Sequence, residues 1–167
     1  MTLALLEHRD GVETEAGNRV VYDLAKGEAH FGAARIEGHA LVWKLTGDPG
    51  PGEWILRCDR VDFPPGGIAY RHVHPGAGIR RILHGELTID RGDGEPHTYG
   101  VGESWLEGAD DPVLATASAT EDTSFVRVML LPAEWAGKRT IRYLDPADDE
   151  RPKLQRATVL LEERLRR

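Results

Sequence analysis

The chain's densest chemistry lies in the stretch YRHVHPGAGIRRIL, from Tyr70 to Leu83. Residues two apart in an extended strand face the same way, so Tyr70, His72 and His74 are expected to project together while Arg71 and Val73 point to the other side. Two neutral imidazoles on one face suit coordination of Fe, Mn, Ni or Zn, although a complete centre needs a third or fourth protein ligand. The same pair also fits an aromatic and imidazole cluster packed without metal inside a barrel. Tyr70, Trp105 and Phe125 are candidate walls for a small organic ligand, the usual makeup of a preformed pocket. Tyr70 and Glu107 are the candidates for proton transfer to such a ligand.

The elements that must position these groups are short and regularly punctuated. Trp54 to Phe63 alternates as WILRCDRVDF and stops at Pro64-Pro65-Gly66-Gly67. Strands are then expected over Ile68 to His74, Ile79 to His84, Glu86 to Arg91, Glu95 to Tyr99, Ser104 to Leu106, Val113 to Ala117 and Ser124 to Leu131, each bounded by Gly, Pro or Asp turns. This pattern leaves no room for βαβ helices and argues for an all-β sandwich or barrel of antiparallel hairpins. Thr2 to His8 reads as a short helix or an arm, and the following 30 or so residues are weakly patterned. Pro132 to Trp135 begins a short helical turn, KRTIRYLD is extended, and the final DDERPKLQRATVLLEERLRR fits a strand or a helix equally. The expected organisation is an N-terminal arm with outer strands (1–53), a barrel core (54–132) and a C-terminal extension (133–167) that packs on the barrel or on a dimer partner.

The segment Gly67 to Gly85, with VGESW at Val101 to Trp105, resembles the core of the cupin superfamily, a double-stranded β-helix or jelly-roll barrel. That family's first motif runs from a Gly through five residues to HxH, then to a Glu and a closing Gly. Gly66, His72, His74 and Gly85 match it, so the resemblance implies His72 and His74 as metal ligands, while Gly78 stands at the Glu position. In the second motif, counted from Gly102, Val113 stands where the family has a ligand His. Asp110, Asp111, Glu107 and His97 are the candidate substitutes, none at the family's spacing.

The family's Glu points into the barrel. By the same strand parity Arg80 is expected to face the cavity, and Arg81 to face out. An internal Arg needs a partner, either a carboxylate such as Glu107 or Asp111 or a bound anionic ligand. The resemblance therefore implies a small-molecule cupin with one divalent metal and oxygenase or isomerase chemistry. The alternatives are a non-catalytic receptor for a small carboxylate or sugar-like molecule anchored by Arg80, with Trp105 and Asp111 beside it, or a structural homodimer without metal.

Composition narrows the partners. The 167 residues carry 28 acids against 21 Lys and Arg, a net charge of -7, which argues against a broad grip on nucleic acid or anionic lipid. That charge is concentrated, since Glu86 to Asp111 contains eight acids and one base while Gly66 to Gly85 has three arginines and no acid. No GxGxxG, Walker, HExxH or GxSxG motif is present, so no nucleotide cofactor is expected. Cys58 stands alone and is read as buried filler. With no signal-peptide pattern and no apolar span of membrane length, a soluble cytoplasmic homodimer is the expectation.

Overall fold

Leucines at alternate positions in the first strand, β1 (Thr2–His8), turn one edge of the N-terminal segment toward the core. The segment is a strand, not the expected helix or arm, because it pairs along its whole length with β6 (Ala40–Thr46). Between them lie β2 (Val12–Thr14), β3 (Arg19–Asp23), β4 (Glu28–Phe31) and β5 (Ala34–Ile36). The weakly patterned region thus builds a four-stranded sheet of order β1-β6-β3-β4 and a small β2-β5 ribbon. The computed structural model describes residues 1–166.

The punctuated region forms β7 (Trp54–Phe63), β8 (Ile68–Val73), β9 (Gly78–His84), β10 (Glu86–Asp90), β11 (His97–Gly100), β12 (Ser104–Glu107), β13 (Val113–Ala117) and β14 (Thr123–Pro132). A 3-10 turn at Ala133–Trp135 leads to β15 (Arg142–Tyr143), the single helical turn α1 (Pro146–Asp149) and β16 (Arg156–Arg164). The C-terminal segment left open between strand and helix is therefore a strand, fixed by pairing antiparallel with β7. Two five-stranded antiparallel sheets result, β12-β9-β14-β7-β16 and β11-β10-β13-β8-β15. They make the all-β jelly roll.

The middle sheet is covered on both faces. Its outer face packs Leu56, Cys58, Val126, Val128 and Leu130 against Val20, Tyr22, Leu41 and Trp43 of the N-terminal sheet. The Trp43 indole N–H donates to the Ile79 carbonyl at 3.1 Å, tying the two layers. Burial raises the Cys58 thiol far above its ordinary range, so it is an inert filler. The inner face carries Val61, Phe63, Ile82, Trp105 and Phe125, packed against Leu87, Ile89, Val113 and Ala115 of the opposing sheet. Cover on both faces leaves β14 buried at nearly every position, with the apolar run VMLL filling its second half.

Gly76 and Gly78 let the chain pass close to β14. A Cβ at Gly76 would lie 1.9 Å from the Leu130 carbonyl oxygen, and one at Gly78 2.6 Å from that of Val128. Position 78 thus accepts no side chain, because the β14 backbone occupies the space a Cβ would take. Among the described residues no helix is long and apolar enough to cross a membrane.

Candidate functional site

The inward-facing residues of β7 read out the axis of the barrel. Arg57, Asp59, Val61 and Phe63 all line one cavity of about 540 Å³, within the size range of small-molecule pockets. Successive inward residues are about 6.8 Å apart along the strand. Cross-strand register extends each into a tier: Met129 lies opposite Arg57, Arg127 opposite Asp59, and Phe125 opposite Val61. One end of the cavity is therefore apolar, its middle is a charged belt, and its other end is a rim covered by residues 137–143 and Lys153.

The belt holds two ion pairs and two imidazoles. Arg127 grips Asp59 with both arms of its fork, Nε to Oδ1 at 2.6 Å and Nη2 to Oδ2 at 3.1 Å. Its Nη1 donates to His74 Nε2 at 3.3 Å. Arg80, 1% exposed, places Nη2 2.6 Å from Glu107 Oε2 and donates from Nη1 to the Gly78 carbonyl at 2.6 Å. The Arg80 Nη2 group is close to the carboxylate but not aligned to donate to it, leaving a buried donor unsatisfied. The other Glu107 oxygen accepts from the Trp105 indole N–H at 2.8 Å.

Charge states follow from these surroundings. Burial pulls the His72 imidazole below its ordinary value, opposed by the Tyr70 carbonyl and by Glu107. Burial pulls His74 further down, reinforced by the charges of Arg127 and Arg80. Both rings are neutral at pH 7. Burial alone would raise Glu107, but Arg80, the Trp105 bond, His72 and Arg127 together hold it below the ordinary carboxylate value. For Arg80 burial outweighs Glu107 and brings the guanidinium to about 10, so it remains charged at neutral pH.

A bulge in β8 reassigns one expected site residue. Ala115 pairs with Ala69 and Val113 with His72, so three steps of β8 span two of β13. The extra residue turns Tyr70 away, and Ala69 and His72 line the cavity instead. The Tyr70 ring lies outside with the Arg151 guanidinium 4.7 Å above it, so a catalytic role facing the pocket is excluded. The Tyr70 carbonyl nevertheless serves the site: it accepts the His72 Nδ1–H at 2.6 Å, which leaves a lone pair on Nε2.

Asp111 is a second correction. It is exposed in the β12–β13 turn, where Oδ2 accepts the Gly108 N–H at 2.8 Å, and it does not line the cavity. Among the other substitutes, His97 is exposed against Tyr99. Asp110 adopts φ 58 and its carboxylate bonds Arg142. Arg80, Trp105, Glu107, His72 and His74 do converge on the cavity, and Arg81 turns outward to Glu7 at 3.0 Å.

Glu107 sits directly across the strand pair from Gly78, and Val113 directly across from His72. The belt thus has a carboxylate beside the position where the family motif carries one, but it is engaged by a guanidinium. Among the described residues no group of three or more His, Cys, Asp or Glu side chains could hold a metal ion. His74 Nε2 already accepts from Arg127, and both belt carboxylates are paired with arginines. This donor set does not fit a resident divalent ion, which would need three or four free ligands.

Asp59, Arg127 and Arg57 were missed as site residues. Their signal was present: Arg57 and Asp59 share strand parity with Val61 and Phe63, and Arg127 interrupts the apolar run SFVRVMLL. Arg57 anchors the rim, donating to the carbonyls of Lys138 at 2.8 Å and Trp135 at 2.7 Å and to Glu162 at 2.5 Å.

Residues 59–127 match the family model described as the cupin domain. Solved structures similar to the chain include the EutQ protein of Clostridium difficile, 18% identical with TM-score 0.41, where the match covers 48% of this chain and 60% of that one. Another is the polyketide cyclase RemF of Streptomyces resistomycificus, 16% identical with TM-score 0.44, covering 83% of each chain. A third is an RmlC-like cupin of Shewanella frigidimarina, 18% identical with TM-score 0.42, covering 52% of this chain and 83% of that one. No curated protein matches.

Proposed function

Because this chain is a cupin, with the family's domain at residues 59–127, we propose that its barrel binds a small organic carboxylate without a resident metal, Arg80 being the anchor. The observation that carries this reading is the charge of the lining. Six cationic side chains (Arg57, Arg80, Arg127, Lys138, Arg139, Lys153) face three carboxylates (Asp59, Glu107, Glu162) around one cavity, in a chain whose net charge is -7. Each of the three carboxylates pairs with an arginine, while Arg139 and Lys153 share Asp149 and Lys138 adds a further charge at the rim, so the lining is net positive and favours anionic ligands. The unsatisfied Nη2 donor of Arg80 and the free lone pair of His72 Nε2 give such a ligand groups to meet: the first binds an oxyanion, the second a protonated oxygen.

Calorimetry with octanoate and 3-phenylpropionate against their uncharged amides tests the proposal. The acids are expected to bind at least tenfold tighter than the amides, and Arg80→Lys, which keeps a charge for Glu107 but loses the planar fork, is expected to weaken them. Equal affinity for acids and amides would overturn it.

A further inference from the structure

The wall between the cavity and solvent is thin along residues 136–141. Gly137, Lys138 and Arg139 line the cavity on one side and are exposed on the other. The charged groups further in are shut off: of Asp59, His72, His74, Arg80, Glu107 and Arg127, none is more than 7% exposed. We propose that residues 136–141 form a lid over the cavity, that the pair of Arg57 and Glu162 is its latch, and that a ligand enters when the latch releases.

The hold on this segment is concentrated in two side chains that stand opposite each other on β7 and β16. Arg57 donates to the carbonyls of Trp135 at 2.7 Å and Lys138 at 2.8 Å, and its Nε donates to Glu162 Oε2 at 2.5 Å. The other Glu162 oxygen accepts the Gly137 N–H at 3.0 Å. Three backbone groups of one short segment thus depend on one ion pair. The flanks are fixed independently, since the Ala133 N–H donates to the Glu53 carbonyl at 2.9 Å and β15 pairs with β8. The neighbouring stretch of rim is bridged where Gln155 donates to the Tyr143 hydroxyl at 3.1 Å. Between these anchors little else opposes movement. The ion pair of Arg139 with Asp149 is exposed on both sides, and such pairs contribute little. Within the segment only Thr140 is buried, its backbone against His74. Gly137, at φ 69, has open space where a Cβ would lie. A loop held by a few polar bonds with little apolar burial opens at lower free energy than the strands around it, as cavity lids do.

Diethyl pyrocarbonate, a small reagent that acylates neutral imidazole, tests the lid on the full chain, with the labelled residues mapped by mass spectrometry. His72 lies inside and His97 outside, so in the wild type His72 is expected to react about tenfold more slowly than His97. Glu162→Gln, which cannot accept from both Arg57 and Gly137, is expected to speed His72 labelling about fivefold and leave His97 unchanged. Glu163→Gln, at the exposed neighbouring position, is expected to change neither. Should Glu162→Gln fold poorly, Arg57→Lys keeps a cation for Glu162 but cannot span both carbonyls, and is expected to act in the same direction. Amide exchange gives a readout without substitution: the Gly137 and Lys138 N–H groups, although hydrogen-bonded, are expected to exchange about a hundredfold faster than those of β14. Wild-type His72 labelled as fast as His97, labelling unchanged in both latch variants, or Gly137 exchanging together with β14 overturns the lid. None of these readouts uses a carboxylate, so the ligand reading above stands or falls separately.

Discussion

Replacing Arg80 by Met isolates the energetics of the belt. The side chains of Arg80 and Glu107 are 1% and 6% exposed, so the substitution leaves a carboxylate buried without its cation. Removing one partner of such a pair costs about 3–5 kcal/mol. For a domain of this size that lowers the melting temperature by roughly 6–20 °C. The sign of the pH dependence is the sharper test. In the wild type Glu107 is held below its ordinary value of 4.5. Its contribution to stability is thus fully present above that pH and is lost as the pH falls through the folded-state value. In Arg80→Met burial is left as the main influence and raises the Glu107 value, so the contribution reverses and the variant gains stability relative to wild type as the pH falls from neutrality. Adding Glu107→Gln, which keeps an acceptor for the Trp105 N–H, removes the stranded charge and is expected to recover about 2 kcal/mol or more. Urea melts of the three proteins at pH 5 and pH 8 measure all of this. A loss below about 1 kcal/mol in Arg80→Met, with the wild-type pH profile retained, would refute the buried pair.

Three further outcomes are expected. Gly78→Ala forces a Cβ to within 2.6 Å of the Val128 carbonyl oxygen and should cost about 1–3 kcal/mol or more in a denaturant melt; wild-type stability would contradict the close strand crossing. The values of His72 and His74 are both depressed by burial, so the unfolded chain binds more protons and stability falls as the pH drops below about 6.5, by up to about 1.4 kcal/mol per pH unit for each ring. His74→Gln should flatten that slope, and an unchanged slope would exclude His74 as its source. Titration with Mn, Fe, Ni or Zn is expected to show no stoichiometric site that His72→Ala removes, and calorimetry detecting one would reinstate a metal centre.

The barrel strands were legible because Gly and Pro turns bound short alternating runs: β7 and β13 match their expected spans to the residue. The HxH motif and the inward parity of Arg80 were legible for the same reason, since alternation is a local property of an extended chain. Tyr70 was misplaced because a bulge depends on how β8 registers with β13, and nothing within β8 records it. Likewise β1 and β16 are strands because β6 and β7 present open edges to them, whereas their own residues are compatible with a helix.

The amino-acid sequence by itself determined an all-β chain with two histidines and an arginine aimed at one interior, because strand parity is carried by neighbouring residues. Only the tertiary structure decided what that interior is. Asp59 and Arg127 lie 68 residues apart, and Arg80 reaches Glu107 on the neighbouring strand only once β9 and β12 pair. Guanidinium groups, buried and needing partners, took the imidazole and carboxylate contacts that a metal would otherwise use.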